Sequence, residues 1–389
     1  MTAPNTTGSL PPGPLPSDLG TKPVGIGVRW NYALAIYIVL FAVAWVLVPL
    51  AVNREPPGDN IEQLNWAEHL AWGYDKHPPL PTMVLWIFEQ VFPTGEPLTY
   101  ALGGLQVAML LGLVWALTRI TLDKNRAAMA VLFVSCMTYY TNRLHYYNHN
   151  TGLLVAYAMS VYCVLRAAQT QKAFWYALLG VTWGLGMLSK YQMVIGIACN
   201  LIFLLGWVAR LQLRKFIGLL LVSWFVCAIV ITPHVAWLIE HHFPSFDYAA
   251  KFVAADLPWW RRPDDIGSFL ADQAMRVIPL ALVLIILRYL PATRRLRNTQ
   301  SIVIGDGSNF AAPLLAIHAW GPLVLMSSLS LLFGVDLQMH WGTAFIWVIP
   351  IWFLRTPHGR AIASLPLPTV LVAVMILQTI MLLAYRWRY

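Results

Sequence analysis

Residues 30–52 read WNYALAIYIVLFAVAWVLVPLAV, and this uncharged stretch decides what kind of fold the chain adopts. It has the length of about 20 apolar residues that an α-helix needs to cross a hydrocarbon core roughly 30 Å thick. Similar runs recur along the 389 residues, of which 58% are hydrophobic and only 11% charged. A soluble domain carries about 25% charged residues. The sequence therefore predicts an all-α polytopic membrane protein.

The apolar runs predict a bundle of about 11 transmembrane helices. They are placed at residues 30–52, 97–120, 127–144, 152–168, 173–189, 192–209, 216–238, 273–291, 311–333, 342–354 and 366–385. With the N-terminus in the cytoplasm, the C-terminus then lies outside, and most lysines and arginines fall in inner loops, as the positive-inside rule requires. The net charge of +9 therefore reflects topology, and no soluble basic face for a nucleic-acid partner is predicted.

The domain organisation is predicted to be simple. Residues 1–28 are rich in Pro, Gly, Thr and Ser and lack an apolar signal segment, which predicts a disordered cytoplasmic tail. Residues 29–389 are expected to form one transmembrane domain, with long outer loops at 53–96 and 239–272 and no soluble C-terminal domain. Most acidic residues fall outside, so the chemistry is expected there. The four cysteines lack metal-ligand spacing, and no metal or other cofactor is predicted.

The first outer loop begins with a helical pattern. Ile61 and Leu64 share one face while Asp59 and Glu62 lie toward the other, and Gly73 is expected to end the helix. This pattern predicts an amphipathic helix in the membrane interface. A carboxylate here, followed by a cation, suits sugar transfer from a lipid phosphate, which needs a base for the acceptor proton and positive charge for the leaving phosphate. A solvated helix face is the alternative.

A series of motifs extends this pattern over nearly the whole chain. They are Asp59, Trp72-Gly-Tyr74, Lys76-His-Pro-Pro-Leu-Pro81, Asn148-His-Asn-Thr151, Gly184-Leu-Gly-Met-Leu-Ser-Lys-Tyr191, Thr232-Pro-His234 and His340-Trp-Gly-Thr343. In this order they resemble the bacterial members of the GT-C superfamily that are related to protein O-mannosyltransferases and to the aminoarabinose transferase of lipid A. The Lys-His-Pro-Pro-Leu-Pro form is most similar to the branch that contains rhizobial lipopolysaccharide galacturonosyltransferases.

The resemblance implies a GT-C bundle in the bacterial inner membrane, with the active site facing the periplasm. It also implies roles for residues of the first outer loop. Asp59 occupies the position of the family's catalytic aspartate, a general base, and Glu62 is the next acid. Lys76 stands where a basic residue contacts the carrier phosphate. The neighbouring positions expected to bind substrate are Trp72, Tyr74, Asp75 and His77.

The sequence departs from the family pattern at two places. Asn60 follows the aspartate where the family often has a second acid. His149 and Asn150 stand where many members carry an Asp in the second outer loop. These departures weaken any expectation of a two-carboxylate site or of a metal bridged between the loops.

Further candidates lie in the later outer loops. Lys190, Arg261 and Arg262 are expected to bind the donor phosphate, because Arg is a strong phosphate partner and a charge near the membrane is usually functional or paired. Snorkelling of the lysine and anchoring of the arginines in an aromatic belt are the alternatives. The side chains expected to hydrogen-bond sugar hydroxyls, with helix capping as the alternative, are His149, Asn150 and His340.

Together these features predict an integral-membrane glycosyltransferase. It would move a sugar from a polyprenyl-phosphate carrier to a periplasmic acceptor, namely lipopolysaccharide or lipid A, another glycan or a protein, with inversion implied by the resemblance. The expected partners are the lipid-linked donor, the acceptor and membrane lipids. A non-enzymatic transporter or flippase of lipid-linked sugars, or a catalytically silent relative, is the alternative.

Overall fold

The computed structural model describes residues 28–209, 213–252, 258–290 and 310–388. The tail predicted at residues 1–28 therefore lies almost wholly outside the described residues. The helices of the first half are α1 Val28–Val52, α2 Gly58–Ala67, α3 Leu80–Glu89, α4 Glu96–Thr121, α5 Lys124–Ser135, α6 Tyr139–Asn142, α7 His149–Thr170 and α8 Ala173–Ser189.

The helices of the second half are α9 Met193–Phe203, α10 Leu213–Glu240, α11 Pro244–Ala250, α12 Arg262–Tyr289, α13 Ala311–Phe333, α14 Val348–Phe353, α15 Pro357–Ala363 and α16 Leu367–Arg388. A π-helical turn at Leu204–Val208 follows α9, and 3-10 turns at Trp259–Arg261 and Met339–Ala344 precede α12 and α14. Helices α10 and α12 reach into the stretch predicted as the second long outer loop.

The predicted all-α membrane architecture is confirmed, but the count of 11 crossing helices is not. Within the described ranges, seven helices are long and apolar enough to span a membrane: α1, α4, α7, α10, the stretch Trp259–Tyr289 that contains α12, α13 and α16. Helices α8 and α9 are apolar but shorter, and they occupy the predicted fifth and sixth crossings. The two other predicted crossings, at residues 127–144 and 342–354, are interrupted.

The interruption at residues 127–144 follows Ser135. The backbone N–H and the hydroxyl of Thr138 both donate to the carbonyl oxygen of Arg276 on α12, each at 3.0 Å. These bonds replace the hydrogen bonds that would continue α5. Ser and Thr side chains commonly compete with helical hydrogen bonding in this way. The chain resumes as the short helix α6, which brings polar residues to one end of the bundle.

The interruption at residues 342–354 has a related cause. The Tyr140 hydroxyl donates to the carbonyl of Thr343 at 2.6 Å, and the Gln273 amide donates to the carbonyl of Met339 at 2.8 Å. Side chains from α6 and α12 thus satisfy carbonyls of this segment, which forms a 3-10 turn and then α14. A Cβ at Gly342 would lie 2.2 Å from the side-chain oxygen of Gln273, so a larger residue here would displace that side chain.

The first outer loop also differs from its predicted form. Helix α2 ends at Ala67, and Gly73 lies beyond it, packed so closely under Trp237 that a Cβ would meet the indole ring at 2.2 Å. The buried positions of α2 include Asn60 and Gln63, while Ile61, predicted on the buried face, is exposed. The face of α2 that packs on the bundle therefore combines Asn60 and Gln63 with Leu64 of the predicted apolar face, which packs on a small buried cluster.

Helix α7 forms the centre of the bundle. In the most hydrophobic 18 residues of α7, 78% are buried, compared with 17% in the corresponding stretch of α10. Helices α8 and α10 pack closely at small residues, since a Cβ at Gly180 would lie 2.3 Å from the carbonyl oxygen of Ser223. Close backbone approach at small residues is typical of membrane helix packing. The N-terminus of α7 and the C-terminus of α8 thereby meet at one end of the bundle.

Candidate active site

A polar cavity of about 340 Å³ opens at this end of the bundle. Its wall is built from segments that lie far apart in the sequence, and most of them were predicted on the outer side of the membrane; Tyr139 and Arg143 fall in the crossing predicted at 127–144. The residues lining it are Asp59, Glu62, Lys76, His77, Tyr139, Arg143, Tyr146, Asn148, His149, Asn150, Lys190, Tyr248 and His340. Most of the predicted site residues therefore converge on a single cavity.

Asp59 lies in the first turn of α2 and accepts a hydrogen bond from the Asn148 side-chain amide at 2.7 Å. The orientation of that amide is set by α7. The oxygen of Asn148 caps the helix by accepting from the backbone N–H groups of Asn150 and Thr151, so its nitrogen must point the other way. The helix cap thus fixes one hydrogen bond of the Asp59 carboxylate and leaves its remaining lone pairs available.

Asn60 explains why a second acid does not follow the aspartate in this chain. The residue is fully buried, and its amide nitrogen donates to the hydroxyl of Thr99 at 2.8 Å and to the carbonyl of His145 at 3.0 Å. Its amide oxygen accepts from the backbone N–H of Tyr147 at 2.9 Å. An amide supplies both donors and an acceptor, which a carboxylate cannot. Asn60 therefore docks α2 onto the bundle and positions Asp59.

Glu62 and Lys76 form an ion pair, with 2.5 Å between Oε1 and Nζ. The hydrogen bond that Lys76 donates to Glu62 is the main reason why the pKa of Lys76 is raised, and the charge of Asp59 contributes further. The Lys76 side chain is 47% exposed, so the pair adds little stability. The ion pair matters for the site itself, because it holds the Lys76 ammonium at the rim of the cavity and leaves the Glu62 carboxylate bound to that cation.

Lys190 is the buried cation of the cavity. Only 8% of the residue is exposed, and its ammonium donates to the side-chain oxygen of Asn150 at 2.7 Å. It lies 5.9 Å from the ring centroid of Trp341, within cation–π distance. Burial lowers the pKa of Lys190 to about 7, while the Asp59 carboxylate acts in the opposite direction. A bound anion would favour the charged form of this lysine.

Three histidines complete the polar lining. The rings of His77 and His149 lie 4.1 Å apart, and Nε2 of His149 is buried without a hydrogen-bond partner. Burial, followed by the charge of Lys190, lowers the pKa of His77 and of His340 to about 3. These two rings are therefore neutral near pH 7 and can donate or accept hydrogen bonds, as recognition of sugar hydroxyls requires.

Five predicted site residues lie outside this cavity. The Tyr74 ring is buried and stacks on Trp66 at 4.5 Å, and its hydroxyl donates to the Trp66 carbonyl, so it holds the loop together. Arg262 donates to the carbonyl of Leu331 at 2.9 Å near the end of α13. The remaining three have exposed side chains that do not line the cavity: Trp72, Asp75 and Arg261.

Other cavity residues were not among the predicted site residues. Arg143 adds a cation, and its guanidinium lies 5.2 Å from the ring centroid of Tyr146. An arginine closing a predicted apolar run is a signal that could have identified it, because such charges are usually functional or paired. Tyr139 and Tyr248 carry no comparable signal, since only the tertiary structure brings them to the cavity wall.

A second cavity of about 290 Å³ adjoins the first and shares Lys76, His77, Lys190, Tyr248 and His340 with it. Its further lining combines three aromatic residues with polar and small ones. That lining includes Tyr191, Phe252 and Trp341. In the part of the chain that the structure describes, no group of three or more His, Cys, Asp or Glu residues could hold a metal ion.

The bundle resembles solved structures of membrane transferases. The ArnT protein from Cupriavidus metallidurans, in a crystal structure bound to undecaprenyl phosphate, superposes with a TM-score of 0.63 at 16% identity, covering 90% of this chain and 63% of that one. The fold is therefore of the GT-C type, and the chain is a multi-pass membrane protein.

Sequence comparisons agree with this class. A family model described as dolichyl-phosphate-mannose-protein mannosyltransferase matches residues 76–237. Two lipopolysaccharide core galacturonosyltransferases of Rhizobium johnstonii, RgtA and RgtB, are 24% and 26% identical to the chain over 82% and 84% of its length. The chain spans 63% and 64% of the length of these relatives. The resemblance to GT-C glycosyltransferases predicted from the sequence is thereby confirmed.

Proposed function

We propose that the protein transfers a sugar from a polyprenyl-phosphate carrier to a hydroxyl group of an acceptor glycan. One observation carries the proposal: the Asp59 carboxylate and the buried Lys190 ammonium line the same cavity. Such a pair supplies the base and the positive charge that sugar transfer from a phosphate needs. The GT-C fold and the names of the relatives support the same reaction class.

In the proposed reaction, Asp59 is the general base. The acceptor oxygen attacks the anomeric carbon from the face opposite the phosphate and gives its proton to Asp59. A new carbon–oxygen bond forms, and the bond between that carbon and the phosphate oxygen breaks, with the electron pair leaving on the phosphate. Attack from the opposite face inverts the configuration. Glu62 is the poorer base, because its carboxylate is already paired with Lys76.

Positive charge on the donor side stabilises the departing phosphate. Lys190 contributes most in this proposal, because it is shielded from water, and electrostatic interactions are stronger in a site that excludes water. Lys76 contributes a second, more exposed charge at the rim. The aromatic lining of the adjoining cavity suits the sugar ring and the first apolar units of the carrier.

The neutral polar groups of the cavity are proposed to bind the sugar. His77, His149 and His340 surround the space beside Lys190, and the free Nε2 of His149 needs a partner. A donor sugar with several hydroxyls would satisfy it. We place the site on the periplasmic face of the bacterial inner membrane, with lipopolysaccharide or lipid A as the acceptor class, because the relatives RgtA and RgtB are named lipopolysaccharide core galacturonosyltransferases.

The test is transfer by the purified protein in detergent. A panel of polyprenyl-phosphate sugars is supplied as donors, bacterial membrane lipid extract is the acceptor, and release of free polyprenyl phosphate is measured. We expect release that requires both the acceptor and one particular donor. Tight carrier binding without release would instead indicate a transporter or a silent relative, and failure to bind any carrier would contradict the proposal altogether.

Asp59→Asn is expected to reduce this release at least about a hundredfold, since loss of general base catalysis costs roughly 10²–10⁴-fold. Carrier binding should persist. Glu68→Gln is the matched control, because Glu68 follows α2 and is exposed away from the cavity. We expect Glu62→Gln to lose less activity than Asp59→Asn. Full activity of Asp59→Asn would refute the assignment of the base.

A further inference from the structure

The Thr232-Pro-His234 motif lies near the end of α10 and contributes no residue to either of the two cavities described above. Its histidine is nevertheless buried, with 3% of the residue exposed. A buried polar side chain is costly unless its polar atoms are paired, and ionisable residues within membrane segments usually have a function. Both ring nitrogens of His234 are paired, and each bonds to a different segment of the candidate active site.

The imidazole of His234 bridges the first outer loop and the turn between α8 and α9. Its Nδ1 lies 2.6 Å from the carbonyl oxygen of Trp72, and its Nε2 lies 2.8 Å from the hydroxyl of Tyr191. Because a carbonyl oxygen can only accept a hydrogen bond, Nδ1 carries a proton and donates it to this bond. In the neutral ring, Nε2 then accepts from the Tyr191 hydroxyl. One buried side chain thus connects two segments that are far apart in the sequence.

The bond to Trp72 holds the loop that carries Lys76. In this loop the backbone N–H of Tyr74 donates to the carbonyl of His77 at 3.1 Å, which closes the chain around Lys76. The hydroxyl of Ser245 donates to the carbonyl of Tyr74 at 2.9 Å and ties the loop to the start of α11. The stretch from Trp72 to His77 is therefore held as one unit, and a displacement of Trp72 would move Lys76 with it.

The bond to Tyr191 holds the turn that carries Lys190. The two residues are adjacent in the chain, and their carbonyls accept from N–H groups at the start of α9, at 3.0 Å from Met193 and 3.1 Å from Val194. A Cβ at Gly186 would lie 2.5 Å from the Met193 side chain, so α8 and α9 are in close contact beside the turn. A displacement of Tyr191 would therefore move the buried ammonium of Lys190.

We infer that His234 is a positioning residue, which holds the loop of Lys76 and the turn of Lys190 at the spacing that one carrier phosphate requires. Both lysines line both cavities, whereas His234 lines neither. The inference rests on the proposed function and adds to it a residue that acts through its neighbours without touching the substrate. A neutral imidazole suits this role, because one planar ring supplies a donor and an acceptor in a fixed geometry.

The test compares the binding of undecaprenyl phosphate and of undecaprenol, which lacks the phosphate, to the purified protein in detergent. The ratio of the two affinities isolates the contribution of the phosphate, and a general loss of stability would leave this ratio unchanged. Tyr191→Phe removes the hydroxyl but keeps the ring that lines the adjoining cavity. His234→Asn keeps a donor near the position of Nδ1 but loses the acceptor at Nε2. Each substitution should lower the ratio about tenfold, because a charge-assisted hydrogen bond to the phosphate weakens when its donor is displaced.

Two further variants make the test specific. Because both substitutions break the same bond, Tyr191→Phe/His234→Asn should lower the ratio no further than either substitution alone. His241→Asn is the matched control on the same helix. His241 is exposed, its Nδ1 bonds to the carbonyl of Trp237 within α10, and it lines neither cavity, so the ratio should keep its wild-type value.

The outcomes separate this inference from the proposed function. A wild-type protein that binds the two lipids equally would count against the proposed function itself. Where the wild type prefers the phosphate, an unchanged ratio in either single variant, additive losses in the double variant, or the same loss in His241→Asn would each overturn the role of His234. If His234→Asn cannot be purified, Tyr191→Phe alone decides, since it removes a single oxygen atom.

Discussion

Asp59 and Glu62 lie one turn apart on the same helix, yet their surroundings give them different chemistry. Asp59 accepts from an amide whose direction is fixed by a helix cap, and Glu62 is held in an ion pair by Lys76. The Glu62 carboxylate is therefore already engaged by a cation, whereas Asp59 faces the cavity with only its amide partner. The sequence placed both acids in the site, and the tertiary contacts distinguish them.

Lys190 provides a prediction about pH at the scale of a single residue. Its pKa is lowered to about 7 by burial, so the ammonium is charged below that pH and loses its proton above it. Affinity for undecaprenyl phosphate should therefore be highest below pH 7 and fall as the pH rises. Affinity that needs the proton follows the charged fraction of the lysine, so we expect up to about a fifteenfold loss between pH 7 and 8.5.

Lys190→Arg is the control for this pH dependence, because arginine stays charged throughout the range. The ratio of wild-type to Lys190→Arg affinity cancels the ionisation of the phosphate itself, so it reports on the lysine alone. It should decline above pH 7 in titrations by equilibrium binding. A ratio that stays constant from pH 6 to 8.5 would show that the proton on Lys190 does not control carrier binding.

At the scale of the element, α2 is docked through polar contacts. Asn60 bonds to Thr99, to the carbonyl of His145 and to the N–H of Tyr147. The Thr82 hydroxyl donates to Gln63 at 2.9 Å and joins α2 to α3. Of the apolar stripe predicted from helical periodicity, Leu64 packs on the bundle but Ile61 is exposed, so the buried face of α2 is mixed. Periodicity could not reveal this arrangement, because the partners lie on other helices.

Asn60→Ala tests this docking. The substitution leaves two buried backbone groups without partners, the carbonyl of His145 and the N–H of Tyr147, and each unsatisfied group costs about 1–3 kcal/mol. We expect a lower melting temperature in detergent together with reduced sugar transfer, because Asp59 moves with α2. Asn65→Ala is the matched control on the exposed face of the same helix and should leave both unchanged. An Asn60→Ala protein with wild-type stability would contradict the docking role.

The tertiary structure brings six segments to one cavity. Its wall is formed at positions 59–62, 76–77, 139–150, 190, 248 and 340, which were predicted in outer loops or, for 139–144, at the outer end of a crossing. A topology with any of these segments on the inner side would separate them by the thickness of the membrane. Their convergence supports the predicted relative topology, and it leaves the absolute orientation to experiment.

Added cysteines test the orientation of the whole molecule. The four native cysteines are buried and should not react. His69 and His358 are exposed and lie in loops predicted outside and inside, respectively. A membrane-impermeant maleimide applied to spheroplasts should label His69→Cys at once and His358→Cys only after lysis. The reverse pattern would place the cavity on the cytoplasmic side.

The sequence by itself determined the class of fold and most members of the candidate site. Long uncharged runs must cross the membrane or be buried, and the motif order carried the GT-C resemblance together with Asp59, Lys76 and Lys190. The tertiary structure decided where two apolar runs break and which side chains reach the cavity. Those breaks depend on bonds such as Thr138 to Arg276, between residues distant along the chain. Local patterns determine which segments enter the membrane, but long-range polar contacts determine how they meet.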